Sequence, residues 1–221
     1  MLDNYKARTL FLFSTSTKVL VNCLLLMEHP PKVTFHNIQN QKIKDSFIKV
    51  LNRYEALHNC RVSLRQIPIK SSTMQAQPVF SLGSLFSGIT HYKVKLAVFV
   101  RDSKLLKVTD LPEDVLTGWF AHELGHLVDY RSYHNLGMIM FGLKYMLSEK
   151  FKREAEHAAD RVAIQHGFRE EIIATKRFIL EHDLLDDIYK EKIRKYYMPI
   201  EMAEVWQHKH LPVSAKPDVE L

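Results

Sequence analysis

The stretch FAHELGHLV occupies residues 120–128 and contains the pattern His-Glu-x-x-His. In an α-helix, residues four positions apart lie one turn apart on the same face, so His122 and His126 project side by side. Two imidazoles placed in this way can each give one nitrogen to a Zn2+ ion, and the motif is typical of zinc hydrolases. Glu123 follows the first histidine and can reach a water at the metal without being a ligand, which is the arrangement of metal-assisted hydrolysis.

The residues around the motif predict one long helix from about residue 112 to residue 131. Thr109 or Asp110 can cap its start, and acidic residues in the first turn complement the positive end of the helix dipole. Gly118 and Gly125 lie inside this helix, where each glycine costs about 1 kcal/mol relative to alanine. We interpret both glycines as points where a second backbone approaches the helix closely.

The chain has 221 residues, of which 46% are hydrophobic and 25% charged, as is typical of a globular protein. This length predicts a single domain, residues 1–208, with residues 1–37 as an N-terminal extension packed on it and 209–221 as a loose C-terminal tail. The two cysteines, Cys23 and Cys60, cannot build a disulfide framework and form no CxxC pattern. Two reduced thiols fit a cytoplasmic protein.

Positive charge is concentrated in the first half of the chain. Residues 1–110 hold 16 Lys+Arg and 6 Asp+Glu, a balance of +10, and the remainder holds 15 and 19, a balance of −4, which together give the net charge of +6. This asymmetry admits a nucleic acid or an anionic lipid as a partner. The sequence has no run of five Lys/Arg residues and no nucleic-acid-binding motif, so it favours a solvated basic face.

No stretch of the sequence is predicted to cross a membrane. The apolar segments 10–13 and 19–27 are separated by residues 14–18, so neither reaches the roughly 18–20 residues of a membrane span. They are followed by EHPP instead of a small-residue cleavage site, which argues against a signal peptide. The apolar segment 136–147 is also too short and contains Lys144. We expect it to pack in the core, with peripheral contact at a membrane surface as the alternative.

The order of the predicted elements indicates an α+β fold with a helical C-terminal part. Apolar residues at helical spacing predict a helix at 38–57, and alternating patterns predict strands at 60–69 and 91–100. The Ser-, Gln- and Gly-containing segment 71–88 is predicted to be a loop. Downstream of the motif, helices are predicted at 169–180, at 184–197 and from Pro199 to about residue 207.

A catalytic zinc site needs a third protein ligand and one open position. The extended motif HExxHxxGxxH/D would require glycine at position 129 and histidine or aspartate at position 132, but these positions hold Asp129 and Ser132. The remaining candidates are a downstream carboxylate, Glu156, and three downstream histidines, His134, His157 and His166.

The segment 156–163 favours Glu156 as the third ligand. Helical spacing places Glu156 on one face with Asp160 and two alanines, which are small enough for this helix to pack against Gly125. Asp160 can then accept the free N–H of a ligating histidine, a partner that metal-bound imidazoles usually have. His157 projects about 100° away from that face. The alternative is a solvated face on which both carboxylates pair with neighbouring lysines and arginines.

The HELGH motif followed by EHAAD at residues 156–160 resembles the gluzincin metallopeptidases. The best match is their branch with an ExxxD second helix, which includes the minigluzincins and the integral-membrane CAAX-protease and HtpX-like enzymes, and the resemblance covers about residues 90–170. It implies a zincin-like α+β fold with a small, mostly antiparallel sheet and one Zn2+ bound by His122, His126 and Glu156. It also implies that Glu123 is the general base, that Asp160 orients the first histidine, and that strand 91–100 pairs with an extended substrate.

By this resemblance the chain is a zinc metallopeptidase acting on a peptide or protein substrate, and the lack of predicted membrane spans favours the soluble members. Two other functions stay open: a nucleic-acid-associated regulatory or repair protease similar to SprT-like or repressor-cleaving enzymes, and a zinc-stabilised scaffold without catalytic activity. The resemblance does not fix the group that stabilises the oxyanion. Its candidates are Tyr130, Tyr133, His166, Tyr196 and Tyr197.

Overall fold

The computed structural model describes residues 32–69, 72–80, 89–101, 103, 105–133 and 135–206, which form one sheet and seven α-helices. The strands are β1 (Lys32–His36), β2 (Arg61–Gln66), β3 (Met74–Pro78) and β4 (His91–Leu96). The helices are α1 (Gln41–Arg53), α2 (Glu113–Tyr130), α3 (Asn135–Leu147), α4 (Glu149–Gln165), α5 (Arg169–Glu181), α6 (Asp187–Tyr196) and α7 (Ile200–Val205). The predicted α+β class is confirmed. The predictions made for residues 1–31 and 207–221 lie outside the described residues.

The sheet is mixed, and the expectation of a mostly antiparallel sheet is wrong. Its strand order is β1-β2-β4-β3, in which β1, β2 and β4 run parallel and only β3 is antiparallel to its neighbour. The physical reason lies in the connection between the first two strands. Helix α1 carries the chain from the end of β1 back to the start of β2, and strands joined by such a crossover run parallel.

The edge strand β3 lies inside the segment that was predicted to be a loop. Its sequence, MQAQP, lacks the β-branched and aromatic residues that favour strands. It becomes a strand because it pairs with β4 over its whole length, with Ala76 opposite Val94. Strand β4 therefore lies between β2 and β3, and both of its edges are paired. Among the described strands the outermost one on this side is β3, so the rim role assigned to strand 91–100 is wrong.

Helix α1 links the sheet to the motif helix. Its start is capped by Asn40, whose side chain accepts a hydrogen bond from the backbone N–H of Ile43. Its apolar face is fully buried, and the ring of Phe47 packs edge-on against Phe120 of α2 with 5.2 Å between the centroids. Just beyond α1, the phenol of Tyr54 donates a 2.7 Å hydrogen bond to the backbone carbonyl of Ala121. These contacts fix α2 against the sheet.

Helix α2 is the central element of the core, and it starts after Pro112, later than a cap at Thr109 or Asp110 would place it. The two glycines inside it pack as predicted. A Cβ atom built on Gly125 would lie 2.6 Å from the backbone oxygen of Ala159 in α4, and one built on Gly118 would overlap the backbone of α5. Close helix–helix approach at both positions is therefore confirmed.

Helix α3 is apolar on two opposite sides. Met138 and Phe141 are buried, so the predicted packing in the core holds for that side. The other side exposes large apolar residues, among them Met146 and Leu147, which are 80% and 83% exposed. Among the described residues, no helix combines the length and the apolar character needed to cross a bilayer.

Candidate metal centre

Three buried side chains converge where α2 packs against α4. His122 and His126 come from α2 and Glu156 from α4, and one ligand atom of each lies within 4.8 Å of the others. The Oε2 atom of Glu156 is 3.0 Å from Nε2 of His122 and 3.5 Å from Nε2 of His126. The absence of a side chain at Gly125 allows α4 to approach so closely that a carboxylate on one helix reaches both histidines on the other.

The geometry and chemistry of this cluster fit a zinc ion. Ligand atoms 2.0–2.1 Å from zinc in tetrahedral geometry are about 3.3 Å from each other. The two separations of 3.0 and 3.5 Å lie on either side of that value. Two imidazole nitrogens and one carboxylate oxygen are also a donor set of catalytic zinc sites. The Nδ1 atom of His126 points away from the cluster and is buried without a hydrogen-bond partner among the described residues, so this ring lacks the second partner that a ligating imidazole usually has.

Asp160 holds the ring of His122 in the orientation that a metal ligand needs. The Nδ1 atom of His122 donates to Oδ1 of Asp160 at 2.9 Å, which leaves Nε2 facing Glu156. The other oxygen of Asp160 accepts hydrogen bonds from Nζ of Lys176 at 2.7 Å and from the backbone N–H of Met198 at 3.1 Å. The carboxylate is thus fully bonded, so the ring that it contacts is held in place.

The electrostatics of the cluster favour a bound cation. Burial raises the pKa of Asp160, but Lys176 and His122 outweigh it and lower this pKa to about 2. Burial likewise raises the pKa of Glu156, and the two histidines hold it well below its usual range. The cluster thus holds two ionised carboxylates, of which Asp160 is paired with Lys176. Burial lowers the pKa of His122, but the negative charges of Asp160 and Glu156 outweigh burial and raise this pKa to about 10. A metal cation can replace that proton.

Glu123 lies beside the cluster and is not part of it. Its Oε2 atom accepts a 2.7 Å hydrogen bond from the backbone N–H of Ala76 in β3. This bond fixes the carboxylate at the boundary between the motif helix and the sheet. The same bond shows that the N–H group of Ala76 points away from β4 and towards Glu123.

Three tyrosine side chains from separate parts of the chain lie against the cluster. The ring of Tyr130 stacks on His126 with 6.0 Å between centroids, and that of Tyr197 lies 5.1 Å from His122. From α3, the phenol of Tyr145 donates a short hydrogen bond to Oε1 of Glu156, the oxygen that does not face the histidines. Burial and the Glu156 carboxylate both raise the pKa of Tyr145, so its hydroxyl stays protonated and keeps this bond.

The other proposed oxyanion-stabilising groups contact residues outside the cluster. Tyr133 packs on Phe141, Tyr196 donates to Glu149, and His166 bonds the carbonyl of Val162. Tyr130 and Tyr197 are therefore the two candidates that adjoin a histidine of the cluster.

The alternative third ligands do not join the cluster among the described residues. His157 follows Glu156 on α4 but is not among the three converging side chains. Nδ1 of His166 lies 2.7 Å from the carbonyl of Val162, and its ring packs against Tyr54. His134 lies outside the described residues. The geometry thus brings Glu156 to the two motif histidines, as the helical spacing of the sequence favoured.

Three groups at the site escaped the sequence reasoning: Lys176, Tyr145 and the backbone of Ala76. Lys176 left a signal in the sequence, because it stands at helical spacing among the apolar residues of α5. In the structure its side chain is only 4% exposed. A lysine on an apolar helix face needs a buried anionic partner, and Asp160 is that partner. Tyr145 and Ala76 gave no such signal, since their contacts depend on how separate elements pack.

Comparison of the chain with protein-family profiles, with curated protein sequences and with solved structures finds no significant match.

Proposed function

We propose that this chain is a zinc-dependent metallopeptidase. The observation that carries the proposal is the buried cluster of His122, His126 and Glu156, whose ligand atoms lie within 4.8 Å of one another. Two features beside it support hydrolysis over a purely structural metal site. The cluster supplies three protein ligands, so a tetrahedral ion keeps one open position. A fixed carboxylate, Glu123, lies next to the first histidine without being a ligand.

Each residue has a separate task in the proposed reaction. His122, His126 and Glu156 hold the ion, and Asp160 keeps the ring of His122 in its ligating orientation. Zinc bound there would supply Lewis acidity and would lower the pKa of a water molecule. Glu123 takes the proton from the attacking water and passes it to the nitrogen of the leaving amine. The N–H of Ala76 orients the Glu123 carboxylate for both transfers.

The place of β3 at the edge of the described sheet supports a peptide as the substrate. An extended peptide can add to an exposed sheet edge through main-chain hydrogen bonds. Strand β3 is the edge strand on the side of the motif helix, and its Ala76 N–H already points at Glu123. Because the N–H of Ala76 is already bonded to Glu123, a peptide bound along this edge would pair with backbone carbonyls of β3 and would run past the general base. Pro78 lacks an N–H donor and ends the strand.

The proposal is tested with Glu123→Gln, which keeps the size of the side chain but removes its basicity. The variant should bind zinc like the wild type and lose hydrolysis of a mixed peptide library by about 100-fold or more, as expected for loss of a general base. Glu154→Gln is the matched control, because Glu154 is an exposed residue of α4 whose described ion pair is with Lys150.

Chelator should abolish the wild-type activity, and added zinc should restore it. Unchanged turnover in Glu123→Gln would contradict the role of this residue. A zinc-loaded wild type that cleaves no member of the library would instead identify the chain as a scaffold.

A further inference from the structure

The face of the sheet that points away from α1 and α2 is strongly basic. Side chains alternate between the two faces of a strand. In β1, β2 and β4 one set of alternate residues, such as Val33, Val62 and Val94, packs against the core. The strand residues between them point the other way, and we call the surface that they form the outer sheet face. Its charged residues are five lysines and arginines, Lys32, Arg61, Arg65, Lys93 and Lys95, and no strand residue on it is acidic.

The register of the strands places these cations next to one another. Lys32 is paired with Arg61, and Arg65 with Lys95. Like charges directly opposite each other on neighbouring strands destabilise a sheet. Some lysines and arginines elsewhere in the described chain have a carboxylate partner, as Lys176 has, but the ion pairs of the described residues include none of these five. A bound anion would relieve the repulsion among these cations.

The outer sheet face matches a polyanion better than a lipid surface. Neighbouring strands are about 4.8 Å apart and alternate residues about 6.6 Å apart, so the cations form a two-dimensional array. The outward-facing residues of the four strands are charged or polar, and beside them only Val79, directly after β3, is an exposed apolar residue among those that line the depression described next, so this face has little apolar surface to insert into a bilayer. At one end, Lys32, Arg61, Arg65 and His91 line a depression of about 460 Å³.

We propose that the outer sheet face binds the phosphate backbone of nucleic acid without sequence preference. Lysine and arginine are the residues that neutralise phosphates, and this electrostatic contribution accounts for most non-specific binding. The outward-facing residues of the four described strands include no Phe, Tyr or Trp, so these strands offer no exposed rings for bases to stack on. This inference comes from the charges of the sheet and does not rest on the proposed peptidase activity.

Salt-dependent binding of the full chain to a fluorescein-labelled DNA duplex of arbitrary sequence tests the inference by fluorescence anisotropy. Five phosphate contacts predict a slope of log K against log salt of about −4.5. Affinity should then fall by about 500-fold between about 50 and 200 mM salt. The double variant Arg61→Gln/Arg65→Gln should reduce the magnitude of the slope by about 1.8 and weaken binding at every salt concentration.

The matched control is Lys150→Gln/Arg194→Gln, which removes the same charge from exposed positions on α4 and α6. It should leave the slope within experimental error of the wild type, and the thermal unfolding of both double variants should show that they are folded. Equal weakening by the control, or no binding to duplex or single-stranded DNA or RNA, would overturn the inference. So would binding to phosphatidylserine vesicles without binding to nucleic acid.

Discussion

Replacing Gly125 by alanine tests whether close packing of α2 on α4 builds the metal centre. The added Cβ atom would lie 2.6 Å from the backbone oxygen of Ala159, whereas ordinary contacts begin at 3.4 Å. Because the obstacle is backbone, the two helices must separate by up to about 0.8 Å, the difference between these distances. Overpacking of this kind costs about 1–3 kcal/mol, and the better helix propensity of alanine offsets about 1 kcal/mol of it.

The same displacement should affect zinc binding more than stability. Glu156 lies on α4 and the two histidines on α2, so separating the helices moves the carboxylate away from both imidazoles. Metal–ligand distances tolerate only about 0.2 Å of variation. We therefore expect the zinc affinity of Gly125→Ala to be about 10–100-fold lower than that of the wild type, the loss that follows when groups that orient the ligands are removed.

Gly142→Ala is the matched control. Gly142 also lies in a helix, but a Cβ atom there would meet nothing within 4 Å. This substitution should raise the free energy of unfolding by about 0.5–1 kcal/mol and leave zinc affinity unchanged. Urea denaturation of chelator-treated protein and competition with a zinc indicator measure the two effects separately. If Gly125→Ala matched Gly142→Ala in both assays, the reasoning about the helix contact would be refuted.

Three further substitutions test the groups around the cluster. Lys176→Met leaves the buried carboxylate of Asp160 without its cation and should lower the free energy of unfolding, measured by urea denaturation, by about 3–5 kcal/mol. Lys150→Met, at an exposed position, should change this free energy little, and equal effects of the two substitutions would contradict a buried ion pair. Tyr145→Phe removes the hydrogen bond to Glu156, the proposed third ligand, and should weaken zinc binding by about 10-fold without unfolding the protein; an unchanged zinc affinity would contradict this role of Tyr145. Ala76→Pro removes the N–H that binds Glu123 but no hydrogen bond to β4, so it should lower kcat while the fold and the zinc affinity are retained. Gln77→Pro removes a hydrogen bond to β4 and should instead destabilise the sheet. The opposite pattern would reverse the orientation assigned to β3.

The parts of the site that local spacing determines were predictable from the sequence. Helical periodicity alone places His122 above His126 and Glu156 above Asp160. The unfavourable glycine at 125 then indicates where the second helix makes contact, and the structure has that contact at Ala159. These inferences succeed because each depends on neighbours within a few residues of the chain.

The parts that depend on pairing between distant segments were not predictable in this way. The sequence of β3 has no strand preference, and its pairing with β4 makes it the edge strand. The parallel order of β1 and β2 likewise follows from the path of α1 across the sheet, and β4 is parallel to β2 because the chain reverses direction at β3 between them. The bond from Tyr145 to Glu156 joins two helices whose relative position no local pattern specifies. Lys176 is intermediate, since its place on an apolar helix face signals a partner without identifying it.

The metal content of the purified chain tests the central claim most directly. Wild-type protein, Glu156→Ala and His157→Ala are prepared alike, exposed to excess zinc, desalted and measured by native mass spectrometry. The two substituted residues are neighbours on α4, but only Glu156 reaches the histidines of α2. We predict one zinc ion per chain in the wild type and in His157→Ala, and a large loss in Glu156→Ala. A wild type that retains no zinc, or a greater loss in His157→Ala than in Glu156→Ala, would contradict the account.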